Sequence, residues 1–178
     1  MFLKRKKINM EEVKYIPGDL VMTNGVPLGT AKDVVYRVTS SDPSKTLELD
    51  DGTVLKGVVC LENIEGSEFG DKGYLLGDCC AWVKDIVPIP LTPEILEKNG
   101  WNKEVMSRGI SNRHWVYTKP DIEEYGYFPF YIEKGIGDEF DVYPFTDNNV
   151  CKQIAYIKYV HELQHLLFGL SIDHEMEV

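Results

Sequence analysis

Three prolines fall within the six residues Pro88-Ile89-Pro90-Leu91-Thr92-Pro93, and no other stretch restricts the backbone so tightly. Each proline fixes φ and removes a backbone donor, and the residue before each is pushed toward extended conformations. Neither a helix nor a central strand can run through this stretch, so the chain must fold as one part before it and another after it. Thr92 has a side chain suited to capping a helix, and Pro93 suits the first helical turn. Ile95 and Leu96 then give that short helix an apolar side, and Gly100 stands where a left-handed terminating residue belongs. The boundary is placed near Pro90. It leaves a flexible arm over 1–14, a first domain over 15–90 and a second over 91–178.

The first domain reads as short strands separated by turns. Five short strand candidates are Asp19 to Met22, Val34 to Val38, Leu47 to Leu49, Thr53 to Leu55 extended by Val58 to Leu61, and Ala81 to Val87. Asn24-Gly25 is a turn signal. Asp50-Asp51-Gly52 is a hairpin signal, with Gly52 supplying the positive φ of a tight turn. Glu62 to Gly73 holds Gly66, Gly70 and Gly73 among acidic residues and reads as an exposed loop. Short strands with no helical period between them predict a small SH3-like β-barrel, a scaffold rather than a function.

In the second domain, Arg113 to Thr118, Tyr127 to Glu133 and Phe140 to Phe145 are aromatic-rich strand candidates for a small antiparallel sheet. Pro129 and Pro144 argue for edge positions or bulges. From Tyr156 to Leu170 the period becomes helical. Tyr156, Val160, Leu163, Leu167 and Leu170 recur at three and four residues, predicting an amphipathic C-terminal helix packed on that sheet. The fold class expected is therefore α+β.

Composition limits the function classes. With 29 acidic against 19 basic residues the formal net charge is −10, a field that repels phosphate backbones, so nucleic acid is a poor partner. Lys4, Arg5, Lys6 and Lys7 form a local basic run that reads as a solvated arm, and Met10, followed by Glu11 and Glu12, is an alternative start. No apolar stretch has the length of a membrane span or a signal peptide, so the expected location is cytoplasmic, or virion-associated for a phage protein. Cys60, Cys79, Cys80 and Cys151 show neither a CxxC pair nor a regular framework, and free thiols are expected.

One motif looks catalytic. His161, Glu162 and His165 spell H-E-x-x-H, in which two histidines one helical turn apart bind zinc and the glutamate activates a bound water. A catalytic zinc also needs a third protein ligand. Gly169 and His174 lie too late for the extended H-E-x-x-H-x-x-G-x-x-H form, and a second helix carrying a ligand has no room before Val178. His174, Asp173, Glu175, Cys151 and His114 are the remaining candidates. At about 100° per residue, His161, Glu162 and His165 fall with Lys158 opposite the apolar stripe, on a side expected to face solvent.

Three segments carry a resemblance: Pro17-Gly18-Asp19-Leu20-Val21-Met22, Ile89 to Trp101 (IPLTPEILEKNGW), and Tyr159-Val160-His161-Glu162-Leu163-Gln164. Together they resemble an uncharacterised family of small proteins of gut Bacteroidetes and their phages and mobile elements, over most of the chain. The family's helix typically reads Val-His-x-Leu-Gln-Asn, so His165 is a departure. The resemblance implies that the zinc pattern arose locally and that His161 and Gln164 share a structural role. It implies no activity. The expectation is a non-enzymatic accessory or interaction protein of a phage or mobile element acting through an unidentified protein partner, without cofactor. The alternative is a zinc-dependent metallohydrolase with ligands His161 and His165 and Glu162 as base.

Overall fold

The computed structural model describes residues 14–27, 32, 34–64, 79–108, 112–120, 130–135, 137–145 and 152–178. The basic run, Cys151, Pro129 and the part of the acidic loop from 65 to 73 lie outside them. The chain divides into two compact units, Met1–Pro88 and Ile89–Val178. The fold is α+β, mostly strands in two antiparallel sheets.

In the first unit the strands are β1 (Leu20–Thr23), β2 (Tyr36–Glu48), β3 (Val54–Asn63), β4 (Cys79–Trp82) and β5 (Ile86–Pro88), in sheet order β4-β3-β2-β1-β5. Tyr15, Val21, Val34, Tyr36, Val38, Val59, Leu61, Ala81 and Ile86 form the core on one face, as the alternation along VVYRV requires. Two expectations need correction. Val34 to Val38 and Leu47 to Leu49 are not separate strands, because β2 runs on to Glu48 and makes one long hairpin with β3. Ala81 to Val87 is not one strand either: a 3-10 turn over Val83–Asp85 breaks it, with Asp85 buried and accepting from Asn24 Nδ2 at 3.0 Å.

The register of the long hairpin shifts at two irregularities, between Val38 and Ser40 and between Asp42 and Thr46. Between the pairs Asp42↔Val58 and Thr46↔Lys56, Pro43, Ser44 and Lys45 face only Gly57. Gly57 has φ +70°, and a Cβ there would lie 2.8 Å from Val83 Cγ2, so both conformation and space call for glycine.

Free thiols were expected, and the structure instead joins Cys60 to Cys80 in a disulfide. Val59 and Leu61 turn inward, so Cys60 between them turns outward, directly opposite Cys80 in the β3–β4 ladder at a Cα–Cα distance of 4.1 Å. Spacing along the chain carries no sign of this pairing, because the antiparallel register alone brings the two together.

The second unit begins with α1 (Pro93–Lys98). Thr92 Oγ1 accepts from Ile95 N at 3.3 Å, and Gly100 follows with φ +79°. The strands are β6 (Asn102–Arg108), β7 (Asn112–Thr118), β8 (Phe130–Lys134), β9 (Phe140–Pro144) and β10 (Ala155–Ile157), in sheet order β10-β9-β8-β7-β6, and α2 (Val160–Gly169) follows. Tyr117, Ile132, Phe130, Val142, Phe140 and Ile157 share one buried face, while Leu96, Val160, Leu163 and Leu167 are the buried apolar positions of the two helices. Trp101 meets Phe130 at 5.8 Å and Tyr117 meets Phe140 edge-on at 6.3 Å.

Pro144 does not mark an edge strand, since β9 lies between β8 and β10. Ladder partners from β10 reach only Phe140 to Val142, so the missing donor of Pro144 falls beyond the shared pairing. Tyr156, read as the first residue of the helical stripe, belongs to β10 and is 66% exposed.

Candidate functional site

The HELQH segment opens α2, and its surroundings follow from how that helix starts. The first turn of a helix leaves backbone N–H groups without intrahelical acceptors. Here Val160 N donates to Ile89 O and Leu91 N donates to Lys158 O, both at 2.9 Å, with a β-bridge between Pro90 and Tyr159. The proline-rich junction is thereby tied to the entry of the helix. Tyr159, extended at φ −123° and ψ 155°, is the N-cap residue.

Glu162 stands at the third helical position and bends back. Its Oε2 accepts from Lys158 N at 2.7 Å and from Tyr159 N at 3.1 Å. This is the carboxylate half of a capping box, with negative charge at the positive end of the helix dipole. The residue that would serve as general base in a zinc enzyme is thus engaged by two backbone donors.

The expectation that this side of the helix faces solvent is corrected. His161 is only 4% exposed and Gln164 1%, while Glu162 and His165 are half-buried. The His161 ring stacks on Tyr159 at 5.8 Å and 15°, and meets His165 edge-on at 5.6 Å. The helical-wheel reading missed this because it places residues around the helix alone and ignores what the flanking segments cover.

Gln164 Nε2 donates to His174 O at 3.2 Å, and the His174 ring packs edge-on to Phe168 at 5.2 Å. Ser171, at φ 58°, turns the chain after α2, and Ile172 and Met176 are buried. Asn99 then fixes the end of the chain: its Nδ2 donates to Ile95 O and Glu177 O, each at 2.7 Å, and its Oδ1 accepts from Glu177 N at 2.8 Å.

Of the third-ligand candidates, Cys151 lies outside the described residues and His114 is placed only as a backbone position on β7. His174, Asp173 and Glu175 lie in the returning C-terminal segment. Among the described residues no group of three or more His, Cys, Asp or Glu side chains could hold a metal ion. No described helix is long and apolar enough to cross a membrane.

Two surfaces that sequence reasoning did not single out stand open. The distal part of the β2–β3 hairpin exposes Leu47 (47%), Leu49 (39%) and Val54 (51%). On β6 and β7 the directly paired Val105 and Trp115 are 47% and 57% exposed. The hairpin leucines were legible only as strand residues, and β6 has none of the β-branched density that marks a strand. Compared with protein-family models, curated proteins and solved structures, the chain matches none.

Proposed function

We propose that this chain is a non-enzymatic accessory protein of a phage or mobile element that works by protein–protein contact, with the first unit as the contact module. The observation that carries the reading is the hairpin arm. Beyond the bulge opposite Gly57, the two-stranded arm exposes Leu47 and Leu49 on one face and Val54, the ladder partner of Glu48, on the other, so apolar groups stand open on both faces near the acidic turn of Asp50 and Asp51. Three exposed apolar side chains concentrated on one projecting arm, rather than scattered over the surface, suit a partner that grips the arm from both faces. The first unit is read as an SH3-like barrel. Support comes from the order β4-β3-β2-β1-β5, a meander whose last strand returns to the free side of its first.

Affinity purification of tagged protein from the native host, with wild type beside Leu47→Glu/Val54→Glu, tests this. A stoichiometric protein partner retained by wild type and lost from the variant is the expected result. Equal recovery by both would remove the hairpin from the account.

The zinc-hydrolase reading has one observation in its favour, the adjacency of the His161 and His165 rings. It requires Glu162 to leave its two backbone donors, and it requires tight zinc.

A further inference from the structure

β6 is an outermost strand of its sheet. It pairs with β7 along all seven residues from Asn102 to Arg108, without a register shift, and no described strand lies on its other side. Alternate N–H and C=O groups of such a strand point outward, ready to pair with another chain. Natural edges are usually blunted by a proline, a bulge or a lysine standing against the edge. β6 has no proline and no bulge, and Lys103 is drawn back over the Trp115 ring at 5.1 Å. Asn102, Lys103, Glu104 and Val105 are all exposed.

We propose that β6 pairs with β6 of a second copy of this chain, antiparallel about a twofold axis through Val105, joining two five-stranded sheets into one. A symmetric antiparallel pair sets one residue opposite its own copy. With Val105 there, the whole strand is matched: Asn102 with Arg108, Lys103 with Ser107, Glu104 with Met106. No charge then faces its like. On one face, Trp115 and Val105 of each copy meet as one apolar row across the junction, since Trp115 is the ladder partner of Val105. An axis at Glu104 would oppose two carboxylates and one at Lys103 two ammonium groups, both destabilising. An axis at Met106 would leave Asn102 and Lys103 beyond the strand of the other copy. One strand pair with a single apolar row is smaller than the roughly 1,000 Å² typical of stable interfaces, so the dimer is weak and concentration-dependent. This surface is separate from the hairpin and does not depend on the function proposed for it.

Two measurements on the full chain test the pairing and its register. Sedimentation velocity of wild type should show the weight-average mass rising with concentration, and Val105→Lys, an exposed change that sets two ammonium groups on the axis, should abolish the rise while far-ultraviolet circular dichroism is unchanged. Under oxidised glutathione, Val105→Cys should form a disulfide-linked dimer. Lys103→Cys should not, because its two copies would sit four residues apart, about 13 Å along the strands. Wild type is the control for the native cysteines. A wild type that stays monomeric throughout, a Val105→Lys variant that still associates, or cross-linking no faster at Val105→Cys than at Lys103→Cys would each overturn the proposal.

Discussion

Replacing Glu162 by alanine separates a helix cap from a catalytic base more directly than any other substitution. The carboxylate accepts two backbone hydrogen bonds, from Lys158 N at 2.7 Å and Tyr159 N at 3.1 Å, at a half-buried helix start. Loss of a capping side chain costs about 0.5–2 kcal/mol, and charge-assisted bonds lie at the upper end of such ranges. Loss of the negative charge at the helix N-terminus adds roughly 0.3–1 kcal/mol. Glu162→Ala should therefore destabilise the second unit by about 1–3 kcal/mol. For a unit of this size that corresponds to a melting temperature lower by roughly 4–8 °C per kcal/mol. Glu162→Gln keeps an acceptor oxygen but not the charge and should lose about half as much. Urea unfolding followed by far-ultraviolet circular dichroism, with a chelator present throughout, gives both numbers. If Glu162→Ala unfolds within about 0.5 kcal/mol of wild type, or is more stable, the carboxylate is not a cap and the reasoning fails.

Other outcomes follow from the same contacts. Gly57→Ala should cost about 1–3 kcal/mol in the same unfolding assay, since it combines positive φ with a close approach to Val83, while Gly52→Ala, with φ +82° but open space around it, should cost less. Thiol counting in denaturant without reductant should find two free thiols rather than four, because Cys60 and Cys80 are joined. Asn99→Ala removes both of its hydrogen bonds to Glu177 and should expose Glu177 and Val178 to carboxypeptidase well before global unfolding. Burial, and then the carboxylates of Glu97 and Glu94, push the Tyr117 phenol above its ordinary value. The folded state thus favours the protonated phenol, so this contribution to stability is complete below about pH 10 and is lost as pH rises through the higher folded value. Absorbance titration at alkaline pH should show a late-ionising tyrosine that Tyr117→Phe lacks.

Features set by local chemistry were readable in the sequence. Thr92, Pro93 and Gly100 announce α1 because capping, proline φ and left-handed backbone each depend on a few adjacent residues. The alternation of Val34, Tyr36 and Val38 correctly marked a core face, and Val160, Leu163 and Leu167 marked the buried stripe of α2. What long-range pairing decides was not readable. β6 was missed because NKEVMSR is an exposed edge whose conformation comes from its ladder with β7. β10 was absorbed into the helix because Tyr156 happens to continue a helical period, although Glu162 caps the helix only from Tyr159 onward. The Cys60–Cys80 bond depends on a register no spacing rule reveals. At the candidate site the letters H-E-x-x-H were plain, but the engagement of Glu162 and the burial of His161 come from the strand-to-helix entry and from Tyr159.

The central claim is that HELQH builds a helix start rather than a zinc site, and metal content tests it most directly. Protein from cells grown with added zinc is dialysed exhaustively without chelator, and zinc per chain is measured for wild type, His161→Ala and His165→Asn. Loose binding by two imidazoles one turn apart does not survive dialysis, whereas a site with a full ligand set does. The account predicts far less than one zinc per chain in all three proteins. One equivalent in wild type, absent from both variants, would contradict it and make the hydrolase the leading reading.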